Sequence, residues 1–134
     1  MKYKVLVIDD EAEIRKTIRL QLDGTIYEVL EAEGVEKAIE LLEGENLLEV
    51  VTIICDVRIP KIDGVEAVAY FHKNCRSLPI IMLTGYPDVQ LAIDFMKSGV
   101  VDYLVKPVEK DKLVEAVHKA ARKFTLFKGP QPKV

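Results

Sequence analysis

Cysteine is scarce in this chain of 134 residues: only Cys55 and Cys75, with no metal-ligand spacing between them. That argues against a disulfide-stapled scaffold and a cysteine-based zinc site, and both thiols are expected reduced in a cytoplasmic protein. Histidine is equally sparse. His72 and His118 stand on separate helical segments without partner spacing. Long apolar runs are missing as well. The first, Val5–Ile8, stops after four residues at two aspartates, too short for a signal-peptide core, and no run approaches the roughly 20 residues of a membrane span. Internal repeats and low-complexity tracts are absent. The length suits one domain and leads us to expect no sensor, linker and DNA-binding module together on this chain.

An excess of charge of one sign is also lacking overall, since 19 basic and 22 acidic residues give a net charge of −3. The distribution is uneven. Residues 1–105 carry 19 acids against 11 bases, and residues 106–134 carry 8 bases against 3 acids. The bases at the C-terminal end alternate with acids or spread around a helix. They read as a solvated helix face and not as a nucleic-acid contact.

What is present is an ordered alternation. Val5–Ile8, Val50–Cys55, Ile80–Leu83 and Tyr103–Val105 are short, rich in β-branched residues and nearly free of polar alternation. Such runs fit strands buried on both faces of a parallel sheet. Tyr27–Ala32 mixes in polar residues and fits an edge strand. Helical spacing follows each strand: Ile14, Ile18 and Leu22; Val35, Ala38, Ile39 and Leu42; Val65, Val68, Ala69 and Phe71; Val89, Ala92, Ile93 and Met96; and Leu113, Val117, Ala120 and Phe124. Asp88 suits an N-cap and Gly99 a C′ position. Met82 and Met96 are expected in the core, and Cys55 is expected to be buried and inert. Five βα units with crossover helices predict an α/β fold with helices on both faces of the sheet.

In an open parallel sheet, ligands bind beyond the carboxyl ends of the strands. The residues found there are Asp9, Asp10 and Glu11 after the first strand, Asp56 after the second buried run, Thr84-Gly85 after the third, and Lys106-Pro107 after the fourth. Three carboxylates brought together repel one another unless a cation sits among them, and an all-oxygen set favours Mg²⁺ or Mn²⁺ over zinc. A lysine and a hydroxyl opposite the acids suit a tetrahedral anion. A carboxylate can itself be the nucleophile, forming an aspartyl-phosphate.

Asp9-Asp10, Asp56 within Cys-Asp-Val-Arg-Ile-Pro-Lys-Ile-Asp-Gly, Thr84-Gly85 and Lys106-Pro107, in this order and at strand ends, resemble the receiver domain of bacterial two-component response regulators. The resemblance runs from about Lys4 to about Phe124. It implies a flavodoxin-like (βα)5 fold with strand order 2-1-3-4-5, a receiver over 1–124, and a tail or linker stub over 125–134 of either a stand-alone adaptor or a longer regulator. It implies Asp56 as phosphoacceptor, Asp10 as direct metal ligand, Asp9 acting through metal-bound water, and the Arg58 backbone carbonyl as a further ligand. Lys106 would pair with the phosphoryl group, and with Asp56 at rest. Thr84 would hydrogen-bond the phosphoryl group and move towards it on activation, and Tyr103 would swing inward as Thr84 moves. Pro60 and Gly64 match the loop after the phosphoacceptor. Lys106–Pro107 would be cis, a form taken by only about 5% of X-Pro bonds. Arg58 and Tyr86, each two residues beyond a site residue, would shield the acyl phosphate from water.

The implied partners are a sensor histidine kinase or a histidine phosphotransfer domain. A homodimer through the fourth helix, fifth strand and fifth helix is also implied, with no membrane or direct nucleic-acid contact. Three other readings fare worse. A dehalogenase-like phosphatase would carry a second aspartate where Arg58 stands. A flavin or nucleotide module would cradle phosphate with Gly, Ser or Thr where Asp9–Glu13 stands, which would repel it. A binding-only, degenerate receiver would have lost part of the set Asp9, Asp10, Asp56, Thr84 and Lys106.

Overall fold

The structure is a computed structural model in which residues 3–44, 48–59, 62–74 and 78–127 are described. Cys75, Pro60 and residues 128–134 lie outside them. The chain runs β1 (Tyr3–Ile8), α1 (Ala12–Leu22), β2 (Tyr27–Ala32), α2 (Val35–Glu43), β3 (Val50–Asp56), β4 (Arg58–Ile59), β5 (Ile62–Asp63), α3 (Gly64–Asn74), β6 (Ile80–Thr84), α4 (Val89–Lys97), β7 (Asp102–Val105) and α5 (Lys110–Phe127).

Five strands form a parallel sheet in the order β2-β1-β3-β6-β7, the expected doubly wound topology. The chain moves one way from β1 to β2, then reverses through β3, β6 and β7. With right-handed crossovers, α1 covers one face and α2, α3 and α4 the other. Helix α5 returns to pack on α1 and β3, so it shares the first face. The central strands carry the apolar load: Val5–Ile8 of β1, Ile53–Cys55 of β3 and Ile80–Met82 of β6 are fully buried. The one polar side chain within this belt that serves no strand end, Thr52, is satisfied by donating its hydroxyl to the Pro79 carbonyl at 2.9 Å.

Three local expectations fail. Tyr103–Val105 reads as a doubly buried strand, but β7 is the sheet's second edge. Its residues are half-buried, and Val105 is exposed. The segment after Asp56, read as a loop, contains a short antiparallel pair, β4 with β5. The third failure is the α4 stripe. Val89, Ile93 and Met96 are exposed, at 79%, 42% and 51%, whereas Phe95 is buried and Leu91 packs on the core. The helix ends behave as expected. The Asp88 carboxylate accepts the Leu91 N–H at 3.0 Å, and Gly99 takes a positive φ of 96° after the last turn. Cys55 is fully buried, as expected, and burial pushes its thiol pKa well up, so it is inert.

Candidate functional site

The sheet brings its polar strand ends to one place. Asp9 and Asp10 follow β1, Asp56 closes β3, Thr84 closes β6 and Lys106 follows β7. Asp9, Asp56 and Thr84 are buried, and Asp10 is exposed. One oxygen each from Asp9, Asp10 and Asp56 lie within 4.8 Å of one another. The Lys106 ammonium reaches Asp9 Oδ2 at 2.9 Å and Asp56 Oδ2 at 3.5 Å. Backbone amides hold the other oxygens: Glu11 N–H donates to Asp9 Oδ1 at 2.9 Å, and Arg58 N–H donates to Asp56 Oδ1 at 3.2 Å. The Lys106–Pro107 peptide is cis.

Electrostatics follow from this crowding. Burial, then the neighbouring Asp9 charge, raises the Asp56 pKa above the usual carboxylate range, against the opposing pull of the Arg58 amide and Lys106. Burial works against the Lys106 ammonium, but the hydrogen bond to Asp9 and the charges of Asp56 and Asp9 outweigh it, so the pKa rises. Three carboxylates face one lysine. The surplus negative charge, offered entirely through oxygen, fits a hard divalent cation and does not fit zinc.

A cleft of about 480 Å³ opens over this group, lined by Asp10, Asp56, Thr84 and Lys106, with Arg58 and Tyr86 on its rim. The Arg58 guanidinium carbon sits 4.2 Å from the centre of the Tyr86 ring, a cation–π contact that joins the two side chains. The Thr84 hydroxyl is engaged locally: it accepts the Tyr86 N–H at 3.0 Å and lies 3.3 Å from the Tyr86 carbonyl. Tyr103 lies outside the cleft. Its ring centre is 6.2 Å from that of Phe95, and its buried hydroxyl has no hydrogen-bond partner among the described residues.

Arg15 and Glu31 also reach the site, unannounced by the sequence. Arg15 Nη1 donates to the Asp9 carbonyl at 2.7 Å, and Arg15 Nε pairs with Glu31 Oε1 at 3.1 Å. Neither residue falls in a strand-end motif, and 16 positions separate them, so no local spacing reveals the contact.

A family model described as the response regulator receiver domain matches residues 5–118. The chain belongs to this family. Among curated relatives, it is 34% identical over 121 residues to the transcriptional regulatory protein FixJ of Bradyrhizobium diazoefficiens, covering 90% of this chain and 58% of FixJ. It is 33% identical to the C4-dicarboxylate transport transcriptional regulatory protein DctD of Pseudomonas aeruginosa, covering 87% of this chain and 25% of DctD. This receiver therefore spans between about a quarter and three-fifths of these two relatives. A solved receiver domain from Clostridium thermocellum superposes with a TM-score of 0.85 at 33% identity, covering 93% of this chain and 98% of that one. The receiver is a signalling module of two-component response regulators. Phosphorylation on aspartate and Mg²⁺ binding at an acidic pocket are properties of its family. Among the described residues, no helix is long and apolar enough to cross a membrane.

Proposed function

We propose that Asp56 is the phosphoacceptor and that the receiver promotes its own phosphorylation and dephosphorylation. The observation that carries this reading is the state of the Asp56 carboxylate. It is 5% exposed, with one oxygen held by the Arg58 amide and the other 3.5 Å from Lys106. A carboxylate so oriented attacks the phosphorus of a phosphohistidine on a sensor kinase or a phosphotransfer domain. The P–N bond breaks as the P–O bond forms, and the imidazole nitrogen leaves with the bonding pair and takes a proton from solvent.

Asp10, Asp56 and the Arg58 carbonyl would hold Mg²⁺ (or Mn²⁺), with Asp9 acting through a water. The ion supplies charge neutralisation at the transferring phosphoryl oxygens. Lys106 holds a second phosphoryl oxygen from the far side, and Thr84 gives up its contacts with Tyr86 to reach a third. Arg58 and Tyr86, stacked at the rim, limit the approach of water to the acyl phosphate. Movement of Thr84 biases a two-state equilibrium that includes Tyr103. The readout surface is α4, β7 and α5, where exposed Val89, Ile93, Met96 and Val105 favour contact with a partner or a second copy. We place the receiver in the cytoplasm.

The test is incubation with Mg²⁺ and acetyl phosphate, followed by intact mass measurement. A single phosphate adduct in the wild type and none in Asp56→Asn is expected. An adduct that survives in Asp56→Asn sinks the assignment. Turnover of many phosphate esters would point instead to a phosphatase.

A further inference from the structure

We infer that Arg15 is a positioning residue that sets the Asp9–Asp10 backbone from the edge of the sheet. The inference deepens the reading of the acidic pocket as a metal-binding phosphoacceptor site and rests on it. Asp9 is pinned on every side. Its N–H donates to the Ala32 carbonyl of β2 at 3.1 Å, its Oδ1 accepts the Glu11 N–H, and its carbonyl accepts Arg15 Nη1 at 2.7 Å. Arg15 is itself held. Its side chain is 17% exposed, and its Nε pairs with Glu31 Oε1, while the other Glu31 oxygen pairs with Arg19. Glu31 precedes Ala32, so the same end of β2 grips both the amide and, through Arg15, the carbonyl of Asp9.

The consequence lies one residue on. The Asp9 carbonyl belongs to the peptide plane that joins Asp9 to Asp10. Rotation about the Asp9 Cα–C bond turns that plane and carries the Asp10 Cα and carboxylate with it, while leaving the buried Asp9 side chain in place. Asp10 is exposed, so its placement depends on the backbone that carries it. A planar guanidinium with two fixed donor edges suits this bridge between a carbonyl and a carboxylate, and an ammonium does not reproduce it. The charge of Arg15 makes its placement informative. A cation beside a carboxylate cluster opposes the entry of another cation, so a bystander arginine would weaken metal binding and its removal would strengthen it. A positioning arginine gives the opposite sign.

The test uses the full chain in its unphosphorylated form. Mg²⁺ affinity is measured by titration calorimetry, and amide hydrogen exchange is measured at Asp10 and Glu11 without metal, for the wild type, Arg15→Ala, Arg15→Lys and Glu31→Gln. Arg15→Ala is expected to weaken Mg²⁺ binding by roughly 10-fold, the range found for outer-shell partners of metal ligands, and to speed exchange at Asp10 and Glu11. Arg15→Lys should recover only part of the loss. Unchanged or tighter Mg²⁺ binding in Arg15→Ala overturns the inference. Should Arg15→Ala fail to fold, Glu31→Gln decides on metal-free exchange at Asp10 and Glu11, because loss of an acid weakens cation binding under either reading. If the wild type takes up no Mg²⁺, the metal reading is what fails, and the positioning role then stands or falls on metal-free exchange alone.

Discussion

Lys106 leans towards Asp9, not Asp56: its ammonium is 2.9 Å from Asp9 Oδ2 and 3.5 Å from Asp56 Oδ2. The fully buried Asp9 has the greater need of a counter-charge, while Asp56 lines the cleft. Removing the ammonium leaves both carboxylates uncompensated. Lys106→Met should therefore destabilise the metal-free protein by about 3 kcal/mol, read from urea denaturation. The raised Lys106 pKa fixes the pH window. The stabilisation is full below the unfolded value near about 10.4 and is lost as pH rises through the folded value. The gap between wild type and variant should thus hold at neutral pH and narrow in strong alkali.

Asp56 carries the opposite burden. Its raised pKa means that the folded state binds a proton more readily than the unfolded chain does. Stability from this group is full below the unfolded value of about 3.9 and falls as pH rises through the folded value. Asp56→Asn should melt at a higher temperature than the wild type at neutral pH in a chelating buffer. The advantage should disappear below about pH 4. Equal melting temperatures at neutral pH would show that Lys106 and the Arg58 amide fully offset the burial.

The stacked pair at the rim is expected to act as a unit. Arg58→Ala and Tyr86→Ala should each speed loss of phosphate from the phosphorylated protein, and the double variant should add little to either single change. The measurement is the first-order decay of the adduct after removal of donor. Unaltered rates in both single variants would remove the shielding role.

Helix α4 offers a test of packing alone. Phe95→Ala should cost about 3–5 kcal/mol, because the ring is 1% exposed and leaves a cavity. Ile93→Ala and Met96→Ala, on the outer face, should each cost less than about 1 kcal/mol. Urea midpoints of the three variants give the comparison directly.

The fold and the strand-end chemistry were legible because both are written locally. Doubly buried strands show as unbroken apolar runs, and the residue that follows each run is the residue at the pocket. Asp56 and Lys106 are 50 positions apart, yet each is found from its own strand. Helix α4 misled because Val89, Ala92, Ile93 and Met96 make a better apolar stripe than Leu91 and Phe95 do. Periodicity reveals that a stripe exists but not which side meets the sheet, and here the longer stripe is turned outward. Strand β7 misled for a related reason, since an edge strand that is apolar on its solvent side reads like a central one. Arg15 and Glu31 could not be read at all. Charged residues on a helix and an edge strand have an ordinary explanation as solvated positions, and only the parallel register of β1 with β2 brings Glu31 beside the acidic loop.

The Tyr103 hydroxyl has a bearing on how hard the receiver is to switch. A buried hydroxyl left without a partner costs on the order of 1–3 kcal/mol relative to one in water. The conformer described here carries that cost, and any rotation of the ring that brings the hydroxyl to water removes it. Two ring positions separated by no more than this amount lie near balance, so a modest push from a single covalent group is enough to tip them.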